Sequence, residues 1–462
     1  MVDTPSSRQD LAAASTKAGR RVLLVTAHFP PNRRAGTHRL LRFARHLDAL
    51  GWEVSVLTLD PAFYRDGVPL DPGLLAQVPA SVRVTRTPVA GRKAVGATPA
   101  RQPGASSPKA PGRSASRSSW TRPLRKFWNE LTSTPDHELP WYFTAVPAGK
   151  QLVRERGIDV VVSSAPPFTT HLVAAAIARS TGLPFVADFR DPWSRAPWGV
   201  EWRNRGWTGW VHRTLERRTV RRATRVILNT GPMCDDFVAH YPRQPRDKFL
   251  TIPNGFDRDA LDSGVKPVSR TAPAGTLVLC HTGNLYQARD PRPLLRALAA
   301  VLQGGTIPPD AYRLQLVGGA GGEFDAVGEV ARLGLTEAVE FVPPVSHGES
   351  LGYLRAADIL LVVQPDTAVQ VPVKLYEYLW ARKPILALAS PGAVADLIRD
   401  GRIGRVVQAD DEGAIREALT SFYLQRETLA QDFVAPDAFL HDLEGTQLSR
   451  RLHELLARLV DR

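Results

Sequence analysis

Cysteine is nearly absent from this sequence, which has two cysteines, Cys234 and Cys280, among 462 residues. Two cysteines cannot form a disulfide framework, so we interpret them as small buried residues of a protein in a reducing compartment. No apolar run is long enough to span a bilayer, and the polar tail 1–20 lacks the apolar core of a signal peptide. These absences predict a cytoplasmic protein.

Asp and Glu are missing from Pro72 to Asn129, although the chain as a whole carries a net charge of +13. The same stretch holds most of the excess positive charge, on Arg83, Arg86, Arg92, Lys93, Arg101, Lys109, Arg113, Arg117, Arg122, Arg125 and Lys126. Because the rest of the chain is close to neutral, a nucleic-acid surface over the whole fold is not expected. Within this stretch, Val95–Ser119 is rich in Ser, Pro, Ala, Gly and Arg, which predicts a disordered or loosely held insertion.

Clustered His and Cys ligands are also missing, so we predict that there is no metal site. Asp257 and Asp259 have the spacing of a metal-binding carboxylate pair, but they directly follow IPNGF in a segment that links two sets of strands and helices. We therefore favour a structural role for them.

Strand and helix patterns alternate along the chain. The strand RVLLVTAHF begins at Arg21, the turn-rich loop PPNRRAG follows, and a helix with apolar residues at helical spacing ends at Gly51, before the strand WEVSVLTL. A second alternating set comes after IPNGFDRDAL and includes the strands TLVLCHTG, YRLQLVGG, ADILLVV and PILALAS. This order predicts an α/β fold with two Rossmann-like, doubly wound domains that face a cleft.

Five motifs occur in one order: HFPPNRRAGTHRLLRFARHL; SSAPPF with LPFVADFRDPW; IPNGFD; HTGNLYQARDPRPLL; and VPVKLYEYLWARKPILA. Together they resemble the retaining glycosyltransferases of the GT-B fold in family 4, and most closely the subgroup that builds surface polysaccharides on lipid carriers. The resemblance runs from about Arg21 to the C-terminus, except for the insertion Val95–Ser119. It implies an acceptor-side domain at 21–262, a nucleotide-sugar-binding domain at 272–436, and a C-terminal helix, within 437–462, that packs back on the first domain.

The implied reaction moves a sugar, of the hexosyl or N-acetylhexosaminyl type, from a nucleotide diphosphate sugar such as a UDP-sugar. The implied acceptor is lipid-linked or another cell-envelope saccharide, and the configuration of the sugar is retained. The departing phosphate itself takes the proton of the acceptor hydroxyl, so neither a cofactor nor a metal ion is expected.

The resemblance places the donor diphosphate beside Gly283, whose backbone lets it approach, and Arg289, which neutralises it. The family usually has an arginine directly after this glycine, where the chain has Asn284. Lys374 either reaches a phosphate or projects into solvent. The alternative for Arg289 is that it is an ordinary loop arginine exposed to solvent.

Val371–Leu375 precedes Glu377, and backbone N–H groups at this helix start, up to Leu375, are expected to hold phosphate or sugar hydroxyls. The resemblance assigns Glu377 to the ribose hydroxyls, against the alternative of an ordinary helix carboxylate. Val369 stands where the family often has a second acid that contacts the donor sugar. Gln370 and Asp366 are candidates to replace it.

In the first half, Gly36 matches the family's glycine between the first strand and the first helix, and is either a donor-phosphate contact or a plain turn glycine. Arg190 stands where many relatives have a histidine that lines the acceptor side. With Asp188 and Asp191 it forms either an acceptor-orienting, salt-bridged cluster or a purely structural one. We take Arg190 and Asp191 as the catalytic candidates, and His171 as a helix-end residue.

Aromatic residues interleaved with arginines predict peripheral attachment to an anionic membrane, at its cytoplasmic (inner) face. They are Trp120, Phe127 and Trp128 beside Arg122, Arg125 and Lys126, and Trp193, Trp198, Trp202, Trp207 and Trp210 among Arg195, Arg203 and Arg205. The alternative is that these tryptophans pack into a domain core. Two other functions stay open: a sugar-nucleotide epimerase of the same fold, and a non-enzymatic basic protein that binds membranes or nucleic acid.

Overall fold

The computed structural model describes residues 19–65, 67–94, 134–196, 206–270, 272–285, 289–319, 324–365 and 367–461. The chain divides into two compact units. The first consists of Met1–Leu228, Tyr241–Leu250 and Ser449–Arg462, and the second of Asn229–His240 and Thr251–Leu448. The predicted insertion Val95–Ser119 and nearly all of the predicted polar tail lie outside the described residues.

A seven-stranded sheet forms the centre of the first unit, in the order β3-β2-β1-β4-β5-β6-β7. Its strands are β1 (Arg21–Val25), β2 (Glu53–Leu59), β3 (Arg83–Thr87), β4 (Val160–Ala165), β5 (Phe185–Phe189), β6 (Arg225–Leu228) and β7 (Phe249–Thr251). The central strand β1 pairs in parallel with β2 and with β4. The apolar run of β1 is buried on both faces, as expected for a parallel sheet covered by helices.

The helices of the first unit connect these strands. They are α1 (Ala35–Ala49), α2 (Tyr142–Arg156), α3 (Thr169–Thr181) and α4 (Gly206–Arg222). Gly157 and Gly182 follow α2 and α3 in the left-handed conformation, which lets the chain leave each helix toward the next strand.

The second unit contains a six-stranded parallel sheet in the order β10-β9-β8-β11-β12-β13. Its strands are β8 (Leu277–Thr282), β9 (Tyr312–Val317), β10 (Val339–Val342), β11 (Ile359–Gln364), β12 (Ile385–Ala389) and β13 (Gly404–Val407). Successive residues of β8 contribute to separate core clusters: Leu279 packs with Leu361 and Phe422, and Val278 packs with Leu360 and Tyr378. Both faces of this sheet are therefore buried.

The second unit also contains a set of helices, most of which contribute buried residues to those two core clusters. They are α5 (Gly231–His240), α6 (Arg258–Gly264), α7 (Arg292–Gln303), α8 (Ala326–Arg332), α9 (His347–Ala356), α10 (Val373–Ala381), α11 (Ala393–Gly401), α12 (Glu412–Leu424), α13 (Leu429–Asp432) and α14 (Asp437–Asp442). None of the helices in the described part of the chain combines the length and the apolar composition needed to cross a bilayer.

The last helix, α15 (Gly445–Val460), passes from the second unit to the first at Ser449. Within the first unit, Trp52 Nε1 donates to His453 Nδ1 at 2.9 Å, and Arg20 pairs with Asp461 at 2.8 Å. The predicted fold class, α/β with two parallel-sheet domains, is confirmed. The division into units differs from the predicted boundaries, because residues 229–240 and 251–262 belong to the second unit rather than to the first.

Candidate functional site

The side chain of Lys374 fills the space beside Gly283 that a Cβ atom would need, at the carboxyl edge of the second sheet. Gly283 follows β8 with a φ of +113°, a conformation that L side chains rarely adopt. A Cβ atom at this position would lie 1.3 Å from Lys374 Nζ, which donates to the carbonyl of Thr282 at 2.7 Å. Gly318, which follows β9, also lies near the Gly283 backbone, since its own Cβ would lie 3.0 Å from Gly283 Cα. Only glycine fits at position 283.

Arg289 is held beside this lysine by a buried amide. Its Nη2 donates to Gln364 Oε1 at 2.7 Å, and Gln364 Nε2 donates to Thr367 Oγ1 at 2.9 Å. Burial lowers the pKa of Lys374, Glu377 opposes that shift, and the nearby charge of Arg289 lowers the pKa further. Two cations therefore meet at one edge, and an anion there would relieve their repulsion.

Glu377 lies on α10 with a side chain that is 18% exposed, and its Oε1 is 3.0 Å from His347 Nε2. His347 begins α9, directly after the capping box that Ser346 forms with Glu349. His347 was not among the site residues predicted from the sequence. Its signal was weak, since a histidine at a helix start resembles a surface residue, and its side chain is indeed 57% exposed.

Leu375 was predicted to hold phosphate or sugar hydroxyls through its backbone N–H, and that role stays a prediction. Its side chain is fully buried in the core of the second unit, and its N–H donates to the Pro372 carbonyl at 3.0 Å. The helix start there is tightly wound, so this N–H group is already satisfied. The Val369 carbonyl accepts a hydrogen bond from Thr230 Oγ1 at 2.6 Å. Asp366 lies outside the described residues.

In the first unit, the guanidinium of Arg190 lies against Gly36 in the first turn of α1. A Cβ atom on Gly36 would be 2.3 Å from Arg190 Cζ. Arg190 Nη1 donates to Ser164 Oγ at 3.1 Å, and Nη2 donates to the Pro166 carbonyl. Burial lowers the pKa of Arg190, whereas the carboxylates of Asp191 and Asp188 oppose the shift. Gly36 thus has a specific packing function: it admits the arginine.

Asp188 forms a buried ion pair with a residue that the sequence analysis did not select. Arg39 Nε and Nη2 donate to its two carboxylate oxygens at 2.9 and 2.7 Å, and both side chains are at most 2% exposed. Ser164 Oγ donates to the same carboxylate at 2.6 Å. Burial would raise the pKa of Asp188, but the charge and hydrogen bonds of Arg39 lower it overall. Asp188 therefore supports the position of Arg190 through their shared partner Ser164.

Positive charge dominates around the start of α1. Burial lowers the pKa of His28 to about 3, and the charges of Arg34 and Arg190 contribute to that shift. Arg34 is the N-cap of α1, and the first turn of this helix has no acidic residue.

His171 is a buried residue of the first turn of α3, with its Nδ1 2.6 Å from Ser163 Oγ. Burial lowers its pKa to about 3.

Part of the predicted membrane-binding surface is interior. Trp193 is buried, stacks on Phe168 at a centroid distance of 4.6 Å, and donates from Nε1 to His212 Nδ1 at 2.9 Å. Arg195 pairs with the buried Glu216 at 2.8 Å. The prediction for Trp193 is wrong, because a polar helix face offers its indole a hydrogen-bond partner. The prediction for Arg195 is wrong because its guanidinium is held by the buried carboxylate of Glu216. The other residues of the predicted surface, apart from Trp207 and Trp210, lie outside the described residues: Trp120, Arg122, Arg125, Lys126, Phe127, Trp128, Trp198, Trp202, Arg203 and Arg205.

Some of the predicted basic stretch is structural. Arg83 and Arg86 belong to β3, and Arg86 Nη2 donates to the Pro30 carbonyl at 2.7 Å. Arg92 pairs with Glu138 at 3.1 Å.

In the part of the chain that the structure describes, no group of three or more His, Cys, Asp or Glu side chains is placed to hold a metal ion.

Known protein domains match both halves of the chain. Residues 34–255 match the glycosyl transferase 4-like domain, and residues 276–425 match the glycosyl transferases group 1 domain. A D-inositol 3-phosphate glycosyltransferase from Streptomyces scabiei is 32% identical over 216 residues, which are 45% of this chain and 48% of that relative. The match thus spans about half the length of the curated relative.

Solved structures share the fold over nearly the whole chain. A sucrose-phosphate synthase from Thermosynechococcus elongatus has a TM-score of 0.60 at 16% identity, and the match covers 95% of this chain and 99% of that one. Anabaena HepE, solved in complex with UDP, also has a TM-score of 0.60 at 16% identity, with 95% and 100% covered. The fold is that of the GT-B glycosyltransferases. Within it, the chain combines a glycosyl transferase 4-like domain with a glycosyl transferases group 1 domain.

Proposed function

We propose that this protein transfers a sugar from a nucleoside diphosphate sugar to an acceptor hydroxyl, with retention of configuration. The observation that carries the proposal is the cluster of Lys374, Arg289 and Glu377 around Gly283, inside a group 1 domain. Two cations beside a glycine with no Cβ suit a diphosphate, and a carboxylate suits a ribose diol. HepE has also been solved with UDP-glucose, which supports a UDP-sugar as the donor.

The proposed reaction needs little from the protein beyond charge stabilisation. The bond between the anomeric carbon and the diphosphate breaks, and the leaving charge is stabilised by Lys374 and Arg289. The acceptor oxygen attacks from the same face, and its proton passes to the departing phosphate. Neither a protein base nor a metal ion is assigned a step. The sugar is of the hexosyl or N-acetylhexosaminyl type.

The acceptor is proposed to bind the first unit, near Arg190, Asp191 and the start of α1. The Streptomyces scabiei relative is named for an inositol phosphate, whereas the motif resemblance favours a lipid-linked or saccharide acceptor of the cell envelope. An inositol phosphate and a phosphate-bearing lipid carrier share an anionic group, which the positive charge of Arg34 and Arg190 favours. A lipid-linked acceptor requires the enzyme to work at a membrane surface.

Donor screening tests the proposal. The purified protein is incubated with a panel of UDP- and GDP-sugars and candidate acceptors, and released nucleotide and glycosylated product are both measured. We expect product in the presence of EDTA. Conversion of the donor to an epimer without any acceptor would instead establish an epimerase.

The donor site is tested with Arg289→Ala and Glu377→Ala, each of which should weaken binding of the nucleoside diphosphate by about 1.5–3 kcal/mol. Arg399→Ala, which removes an exposed arginine of α11, serves as the control. Calorimetry that finds wild-type affinity in both site variants would remove the proposed site.

A further inference from the structure

Helix α4 buries mainly polar residues and exposes its large aromatic ones, whereas a helix on a folded domain usually buries its apolar side. Apart from Val220, the buried residues of its inward side are small or polar, namely Thr208, Gly209, His212, Glu216 and Thr219. Its two tryptophans are exposed instead, Trp207 by 38% and Trp210 by 63%. A tryptophan that is nearly two-thirds exposed leaves a large apolar area in water, which is unfavourable unless something covers it.

Basic residues continue the exposed side of α4 along its length. We name this side the α4 face and define it by Trp207, Trp210, Arg213, Arg217, Arg218, Arg221 and Arg222, all of them exposed. These positions recur every three or four residues, so they share one side of the helix.

The charge of the α4 face is not balanced from within the helix. Glu216 is the one acidic residue of α4, and it is fully buried. Its carboxylate accepts hydrogen bonds from the Ser194 N–H, from Arg195 and from the Tyr241 hydroxyl, at 2.5, 2.8 and 2.5 Å. The helix itself therefore adds no exposed carboxylate to the guanidinium groups and indole rings of the α4 face.

The position of α4 in the first unit is also informative. The helices α2, α3 and α4 pack side by side, and each precedes a strand of the parallel sheet, so all three begin at its carboxyl edge. Phe143, the second residue of α2, is 67% exposed at that edge. Arg190 follows β5 at the same edge. A surface that covered the start of α4 would thus lie on the edge that carries the acceptor-side residues.

We propose that the α4 face binds an anionic phospholipid surface. Indole rings favour the boundary between headgroups and acyl chains, and guanidinium groups bind lipid phosphates. Each arginine near such a surface strengthens binding by about fivefold at low salt, so five give reversible attachment. The inference rests on the proposed function only in its purpose, which is to bring the first unit to a lipid-linked acceptor.

Vesicle co-sedimentation tests the α4 face. The full chain is mixed with vesicles of phosphatidylcholine alone or of phosphatidylcholine with phosphatidylglycerol, over a range of salt concentrations. Two variants are compared with wild type: Trp210→Ser, and the triple variant Arg217→Ser, Arg218→Ser and Arg221→Ser. Matched controls in the second unit are Leu424→Ser, also 63% exposed, and the triple variant Arg399→Ser, Arg402→Ser and Arg416→Ser.

We expect the wild type and both controls to bind the anionic vesicles, with binding that weakens as salt rises. Both α4 variants should bind these vesicles at least about tenfold more weakly than the wild type. Equal binding by the α4 variants and their controls, or binding that ignores phosphatidylglycerol, overturns the proposal. So does loss of oligonucleotide affinity in the α4 variants when no variant binds vesicles, because the α4 face would then serve nucleic acid.

The outcome is separable from that of the proposed function. Sugar transfer to a soluble acceptor in vesicle-free solution should be unchanged in both α4 variants, which also shows that they fold. If no sugar is transferred under any condition, the proposed function fails, while the vesicle result still decides the role of the α4 face.

Discussion

Gly283 is the residue whose substitution tests the candidate donor site most directly. We expect Gly283→Ala to lower the affinity for UDP at least about tenfold, the equivalent of losing one charge-assisted hydrogen bond. The physical reason is that an added Cβ would occupy the position of Lys374 Nζ and displace it. Calorimetric titration with UDP measures the effect.

Backbone strain alone is separated by a matched glycine. Gly275, in the same unit, also has a positive φ, of +89°, but a Cβ there would meet nothing within 4 Å. Gly275→Ala should therefore cost about 1–2 kcal/mol of stability from strain and leave UDP affinity unchanged. Equal losses of affinity in the two variants would show that Lys374 is not the cause.

Asp188 carries the clearest prediction for pH. Removing its charge with Asp188→Asn leaves Arg39 buried without its carboxylate, and we expect a loss of about 3–5 kcal/mol of stability at pH 7. Since the folded-state pKa of Asp188 is lowered, its contribution is fully present above the unfolded value near 4 and is lost as the pH falls through the folded value. The difference between wild type and variant in urea unfolding should thus shrink below about pH 4.

The control for this pair is Asp247, whose side chain is 72% exposed and lies 3.4 Å from Arg225. Asp247→Asn should change stability by less than about 1 kcal/mol, because water screens an exposed pair. A cost for Asp188→Asn as small as this would mean that the buried pair contributes no more than a surface one.

At single residues, motif matches located positions but not their partners. Gly283, Arg289, Lys374 and Glu377 were selected from the sequence, and the structure brings Lys374 into contact with Gly283 and places Arg289 and Glu377 within electrostatic reach of it. Gln364, Arg39 and His347 were not selected. Their partners are 75, 149 and 30 residues away along the chain, and no local pattern reveals such pairings. The roles of the selected residues in catalysis and binding stay predictions.

At the scale of elements, Glu216 connects α4 to the segment that follows β5. Its carboxylate binds the Ser194 N–H and Arg195, so α4 fixes the residues that come directly after Arg190 and Asp191. The Tyr241 hydroxyl is its third donor. We expect Glu216→Gln to loosen this segment, because a neutral amide accepts these hydrogen bonds less strongly than a carboxylate. Hydrogen exchange of the peptide covering 190–196 should accelerate at least about tenfold, as for the loss of about 1.4 kcal/mol of local stability.

Glu155→Gln is a suitable comparison, since Glu155 is exposed on α2 and interacts with Gln151 of the same helix. It should leave exchange in 190–196 unaltered. Unchanged exchange in the Glu216→Gln variant would show that Trp193 and its neighbours hold the segment without the carboxylate.

Long apolar strands and amphipathic helices could be predicted from the sequence, and short polar strands could not. The strands β1, β4, β8 and β11 each contain a run of at least three apolar residues, which a sequence pattern reveals. The strand β3, RVTRT, has exposed or half-buried positions except for Thr87, and β13, GRVV, is half-buried throughout. Edge strands of this kind gain their structure from a neighbouring strand, and local sequence carries little of that information.

For the molecule as a whole, the two-unit organisation predicts that a nucleotide stabilises only part of the chain. If UDP binds the cluster around Gly283, it stabilises the second unit by about 2.7 kcal/mol at one hundred times its dissociation constant. Because the units have separate cores, the first unit should gain much less. Hydrogen exchange with and without UDP should therefore show protection in peptides of 276–425 next to β8, β11 and α10, and little change in β1–β5. Arg289→Ala should remove that protection while the exchange of the free protein stays the same. Protection confined to the first unit would place the nucleotide on the other half of the chain and contradict the assignment of the donor site.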